Sequence, residues 1–182
     1  WTRVIERARA GFRGRVGYRA DWPGEAHRIE FWDQLDFCSF GIDEAFHHPQ
    51  SPYRRPHDGI ISGKFGRWLE AMRLFADERD LPLSVMAYLP ASSMAWNDPR
   101  TPEGGEVDAY EQERLASALV WALRGLVERD LAPESIAFFG ARTDPYAGGG
   151  DDRGFTLQNK PALDVLRAFA EASALEKSTS GD

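Results

Sequence analysis

The stretch Leu83-Ser-Val-Met-Ala-Tyr88, the Gly- and Pro-rich run that follows it to Val107, and the periodic segment Tyr110 to Glu128 together decide how this chain folds. The first reads as a short buried strand. In the last, Leu115, Leu119, Leu123 and Leu126 recur at three- and four-residue steps, the period of an amphipathic helix. A short link, Leu131 to Glu134, then leads into a second apolar run, Ser135-Ile-Ala-Phe-Phe139. Strand, long loop, helix, short link and strand make a crossover, which lets the two strands lie parallel.

Outward from this unit the pattern repeats. Thr2 to Ala10 predicts a helix ended by Gly11, Arg15 to Asp21 a strand, His27 to Leu35 a short helix, and Phe37-Cys-Ser-Phe-Gly-Ile42 a strand apolar enough to be buried on both faces. His47 to Ile61, with Pro49, Pro52 and Pro56, predicts a loop. Phe65 to Asp80 predicts a helix through Trp68, Leu69, Met72 and Phe75, and Pro161 to Ala174 a last helix with proline in its first turn. The prediction is an α/β fold of four parallel strands near 15–21, 37–42, 83–88 and 135–139, with helices outside. The inner face is assigned to Val16, Tyr18, Phe40, Ile42 and Val85. Long loops (44–64, 90–108, 140–160) follow strands, whereas the links from helix to strand are short, so functional residues are expected at the C-terminal ends of the strands.

Composition narrows the function. The 182 residues carry a net charge of −7, which disfavours nucleic acid and anionic membranes as partners. No run approaches the roughly 20 apolar residues of a membrane span. Cys38 stands alone in an apolar run, so it forms no internal disulfide and is read as core packing. Gly148-Gly-Gly150 lacks the spacing of a phosphate loop, and His47, His48 and His57 lack that of a helical zinc site, so no cofactor and no metal are expected. The chain opens at Trp1 without a methionine or a visible signal peptide, which suggests sequence upstream.

Several local motifs carry a resemblance. Tyr18-Arg-Ala-Asp-Trp22 with Phe31-Trp-Asp33, then Gly41-Ile-Asp43, Asp108-Ala-Tyr-Glu-Gln112, Asp144-Pro-Tyr-Ala-Gly-Gly-Gly-Asp151, Gly154-Phe-Thr156 and Lys160-Pro-Ala162 resemble, in order, segments of glycoside hydrolase family 113, the (β/α)-barrel β-mannanases. The resemblance covers roughly residues 12 to 172 and implies the C-terminal half of a TIM-type barrel, about strands five to eight, over residues 1–176, with 177–182 as a flexible tail. It further implies that the acid/base Glu lies before Trp1, and that Ala87 or Met86 stands where the family carries its nucleophile Glu. Near the tryptophan platform of strand eight this chain has Gly140, Ala141 and Thr143. A missing N-terminal half-barrel or partner chain is expected, and the family suggests secreted or cell-envelope work.

The candidate binding residues are those at the strand ends: Asp21, Trp22, Asp43, Tyr88, Arg142 and Asp144. Carboxylates that accept bonds from hydroxyls, beside an aromatic face, suit an oligo- or polysaccharide; equally, Asp21 and Asp43 suit loop-holding bonds to backbone N–H groups. A replacement acid/base couple of Asp43 with Asp21 or Glu44 finds little support. Trp68 and Trp121 are read as core, Trp32 as packing, and Trp22 and Trp96 as stacking surfaces. The leading expectation is a glycoside-hydrolase-like barrel module, catalytically degenerate, that binds carbohydrate or is structural. The alternatives are a protein-interaction subunit of a larger assembly and an active β-glycan hydrolase completed by another half.

Overall fold

The computed structural model describes residues 1–42, 45–46, 54–97, 105–140 and 142–179, with side chains to residue 173. Within them the order is α1 (Thr2–Gly11), β1 (Gly17–Ala20), β2 (Phe37–Ile42), α2 (Asp58–Asp77), β3 (Leu83–Ala87), α3 (Ala109–Val127), β4 (Ser135–Phe138) and α4 (Pro161–Thr179). Among the described residues the strands form one sheet in the order β1-β2-β3-β4, every pair parallel. Sequential order with crossovers of one hand puts the helices on one side, which is barrel-like winding and not the doubly wound alternative. The α2–α3 and α3–α4 contacts complete that outer layer.

Three elements differ from the prediction. The residues linking β1 to β2 form no single helix but two 3-10 turns, Ala26–Arg28 and Trp32–Gln34, because Ile29 between them is extended (φ −80°, ψ 123°). Helix α2 begins at Asp58, inside the expected loop. Pro56 is the last helix-breaking residue, and Ile61, Phe65, Leu69 and Met72, all buried, already follow the helical period. Helix α4 runs to Thr179, past the predicted end at Ala174.

The register sorts the strands into two faces. Ala20, Phe40, Val85 and Ile136 form one row of paired residues, and Arg19, Ser39, Ser84 and Ser135 the next. The first row is the helix side, since the Phe40 ring lies 5.4 Å from that of Phe75 on α2. This corrects the predicted inner face. Tyr18, Phe40, Ile42 and Val85 pack towards the helices, and the inner face carries Arg19, Phe37, Ser39, Gly41, Ser84, Met86, Ser135 and Ala137. Side chains alternate with a period of two, so one step reverses every assignment. The core therefore sits between sheet and helices, with Phe40, Leu69, Leu83, Leu115 and Leu119 fully buried.

Trp121 is a second correction: it is 70 % exposed on the outer surface of α3, not core. Trp96, read as a stacking surface, is buried instead. Trp32 is buried as expected, its indole N–H donating to the Ala26 carbonyl at 3.0 Å.

Candidate functional site

The C-terminal ends of β1, β3 and β4 carry one connected group on the inner face. Tyr88 follows β3 immediately, and the Arg19 guanidinium of β1 lies over its ring, 5.3 Å from the centroid. Gly41 on β2 makes that possible. A Cβ there would come within 2.9 Å of Arg19 Nη2 and 3.5 Å of the Tyr88 ring, so a larger residue would displace the arginine. On its other side Tyr88 meets Phe139 (5.0 Å between centroids) and Phe155 (5.7 Å), and those two meet at 5.2 Å. Each such ring contact adds about 0.5–1.5 kcal/mol beyond area burial. Arg19, Phe139 and Phe155 were not singled out in the sequence. Alternation through Ser135-Ile-Ala-Phe-Phe139 sets Phe139 on the face of Ala137, the signal that could have found it.

The terminal loop is held around this group by buried polar contacts. Lys160 is buried and its ammonium lies 3.3 Å from Asp152 Oδ2 and 3.4 Å from the Gly154 carbonyl. Burial draws the Lys160 pKa down against the opposing pull of Asp152. Burial also works to raise that of Asp152, but the Gly154 N–H and Lys160 prevail and hold it below the ordinary carboxylate value. From the other side, buried Gln112 on α3 donates to the carbonyls of Leu89 (2.5 Å) and Thr156 (3.4 Å), tying the end of β3 to the loop. The start of α3 is itself fixed: Asp108 caps the Glu111 N–H, and the buried Glu111 carboxylate is gripped by Arg114 and Arg55.

The sequence-predicted residues fall into separate settings. Tyr88 is at the centre of the aromatic group. Arg142 and Asp144 are exposed and joined through one side chain, as Gln158 accepts from the Arg142 N–H (3.0 Å) and donates to the Asp144 carbonyl (3.2 Å). The Asp144 carboxylate also accepts the Tyr146 N–H at 3.0 Å, a local turn. Asp21 is exposed at the end of β1, its N–H donating to Glu25, which also accepts from the Tyr18 hydroxyl. Those two bonds, the Asp21 N–H first, lower the Glu25 pKa, and that of Tyr18 rises. Trp22 packs among Phe40 (5.0 Å) and Phe75 (5.6 Å), on the helix side. Asp43, Glu44, His47, His48 and Ala141 lie outside the described residues. At the expected nucleophile position, Met86 is on the inner row and Ala87 on the buried helix-side row. No described helix is long and apolar enough to cross a membrane.

No protein-family profile matches the sequence, and no curated protein does either. Among solved structures, a complex of a family 113 β-1,4-mannanase superposes with a TM-score of 0.69 at 18% identity, over 94% of this chain and 50% of that one. The family 113 β-mannanase of Alicyclobacillus acidocaldarius, in complex with ManMIm, gives 0.67 at 21% identity with the same coverage. The chain thus spans about half the length of the structures it matches. The resemblance read from the sequence is present in three dimensions: four parallel strands and their helices have the fold of half a family 113 (β/α) barrel.

Proposed function

We propose that this chain is a saccharide-binding half-barrel that has lost the double-displacement chemistry of its structural relatives. The observation that carries the reading is the inward-facing group of Arg19, Tyr88, Phe139 and Phe155 at the C-terminal strand ends, where barrels hold their ligands. Aromatic faces take the apolar C–H side of a sugar ring, while Arg142, Asp144, Asp21 and Asp43 offer polar partners for its hydroxyls. Trp22 serves the core in this reading. The solved structures of similar fold are β-mannanases, so β-1,4-linked manno-oligosaccharides are the first ligands to try.

Catalysis is the part set aside. The retaining mechanism needs two carboxyl groups about 5 Å apart, one of them a nucleophile. Met86 occupies the inward position at the end of β3, and a thioether forms no glycosyl ester. Losing such a group removes several kcal/mol of transition-state stabilisation, on the order of a thousand-fold or more in rate. The reading also includes a complementary half-barrel, since β1 and β4 are the outermost strands of the described sheet.

The test is a glycan-binding screen beside a hydrolysis assay on the same oligosaccharides, with Tyr88→Ala and Asp43→Ala as controls. Binding that is lost in these variants, without turnover, is the expected result. Hydrolysis abolished by Asp43→Ala would promote a replacement-carboxylate mechanism. A chain with neither binding nor turnover would favour the interaction-subunit alternative.

A further inference from the structure

A second feature lies on the outside of the helical layer, away from the strand ends. A groove of about 450 Å³ runs between the start of α2 and the first three turns of α3. Tyr110 and Trp121 line it, and they are 65 % and 70 % exposed. Eleven residues apart on one helix, they share a face and stand roughly 16 Å apart along its axis. Leaving a tryptophan this open forgoes a large part of the burial free energy its ring could supply.

The surface between the two rings is built of small residues. Gly59, Ser62, Ser117 and Ala118 line it, with Glu113 and Asp58 beside them. Arg114 is held rigidly there, donating to Asp58 at 2.7 Å, to Glu111 at 2.7 Å and to the Pro56 carbonyl at 3.0 Å. A Cβ added at Gly59 would meet nothing within 4 Å, so no atom of the described residues fills that space. Among the described residues the groove is thus preorganised at its base and uncovered above.

The geometry points to a saccharide site in this groove, for a neutral oligosaccharide laid along α3 with sugar rings against Tyr110 and Trp121. A docking groove for an apolar helix would be lined by branched aliphatic residues, which are lacking among the described lining residues. The carboxylates of Asp58 and Glu113 and the exposed hydroxyl of Ser117 instead match the hydroxyl groups of a sugar. The two carboxylates and the chain's net charge of −7 also argue against uronates or sulfated glycans. The inference shares the saccharide chemistry of the proposed function but rests on different residues.

The experiment is calorimetric titration of the full chain with mannohexaose, cellohexaose and, as an acidic control, hexagalacturonate, alongside the NMR signal of the Trp121 indole N–H. At least one neutral hexamer is expected to bind and to shift the Trp121 signal, and hexagalacturonate is not. Trp121→Ala and Tyr110→Ala, both at exposed positions, are each expected to weaken this binding tenfold or more. Gly59→Leu, whose Cβ meets no described atom within 4 Å and whose side chain adds bulk at the groove wall, is expected to abolish it while the thermal melt is retained. Persistence of the Trp121 shift in Tyr88→Ala separates this groove from the strand-end site. A shift lost in Tyr88→Ala but kept in Gly59→Leu overturns the groove and leaves the strand-end reading standing. An unmoved Trp121 signal with every hexamer also overturns it, as does a Trp121→Ala change in sedimentation that exposes the patch as a self-association surface.

Discussion

The guanidinium of Arg15, at the foot of β1, grips the carboxylate of Glu134, at the foot of β4, through two bonds of 2.9 and 3.1 Å. The pair joins the first and last strands of the described sheet, across the Phe37 ring that lies 5.5 Å beneath the guanidinium. Bidentate geometry of this kind is the strongest form of surface ion pair. It closes the end of the half-barrel opposite the candidate ligand site with contacts from within the chain.

That pair predicts an acid limb in stability. The bond from Arg15 holds the Glu134 pKa below the ordinary carboxylate value, and bonds from Arg9 and the Val16 N–H do the same for Asp36. A lowered carboxylate contributes stability that is fully present above its unfolded pKa and lost as pH falls through the folded one. Melting temperature should therefore fall on acidification through and below the ordinary carboxylate range. Glu134→Gln should melt lower at neutral pH, decline less steeply in acid, and converge with the parent at the acid end. Both partners are about half exposed, so added salt should shrink the difference.

Cys38 should be chemically silent while the chain is folded. Burial pushes its thiol pKa up to about 11, and the Sγ donates to the Pro82 carbonyl at 3.6 Å. Reaction requires the thiolate, which is scarce at pH 8 under these conditions. Iodoacetamide at that pH should leave the native chain unmodified and alkylate it fully in denaturant. Alkylation of the folded chain at the rate of a free thiol would contradict the buried placement.

Two glycine replacements should act in opposite directions. Gly66 lies inside α2, and a Cβ there meets nothing within 4 Å, so Gly66→Ala should stabilise by about 0.5–1 kcal/mol through helix propensity. Gly148 sits at φ +86°, where a Cβ would collide with the Gln158 carbonyl oxygen. Gly148→Ala should destabilise by more than about 1 kcal/mol. Denaturant unfolding of both variants reads the two signs directly.

Much of the architecture was legible because parallel β/α units impose two periods and a loop asymmetry that any soluble sequence must respect. Leu115, Leu119, Leu123 and Leu126 marked the buried stripe of α3, and all four are buried. The same periodicity excludes Trp121, two positions from both Leu119 and Leu123, and a stricter count would have placed it outside. The strand faces were harder. In Phe37-Cys-Ser-Phe-Gly-Ile42 the alternating Ser39 and Gly41 mark the inner row, but hydrophobicity alone assigns the larger side chains inward, as in a closed barrel. In this strand Phe40 and Ile42 serve the helix layer, while Phe37 falls on the inner row. The Arg19–Tyr88 contact was not legible at all, since it depends on the space left by Gly41 on a neighbouring strand.

The last prediction concerns what covers the outer strands. The corrected inner row, with Arg19 and three serines, leaves less bare apolar surface than the sequence suggested. The larger opening is on the helix side of β4, a cavity of about 680 Å³ lined in part by Ile136, Phe138, Leu166 and Phe169. In a closed parallel barrel the next strand–helix unit fills that position, and its strand pairs with the edge of β4 that has no partner among the described residues. An unpaired edge beside an apolar cavity favours association in water. The chain alone should therefore self-associate at micromolar concentration in sedimentation velocity. Phe169→Glu, which sets a charge in the cavity wall on the outer helix, should shift it towards monomer with little loss of helical circular dichroism. A chain that sediments as a monomer and melts cooperatively would show that the half-barrel tolerates its open edge, and that no complement is needed to hold it.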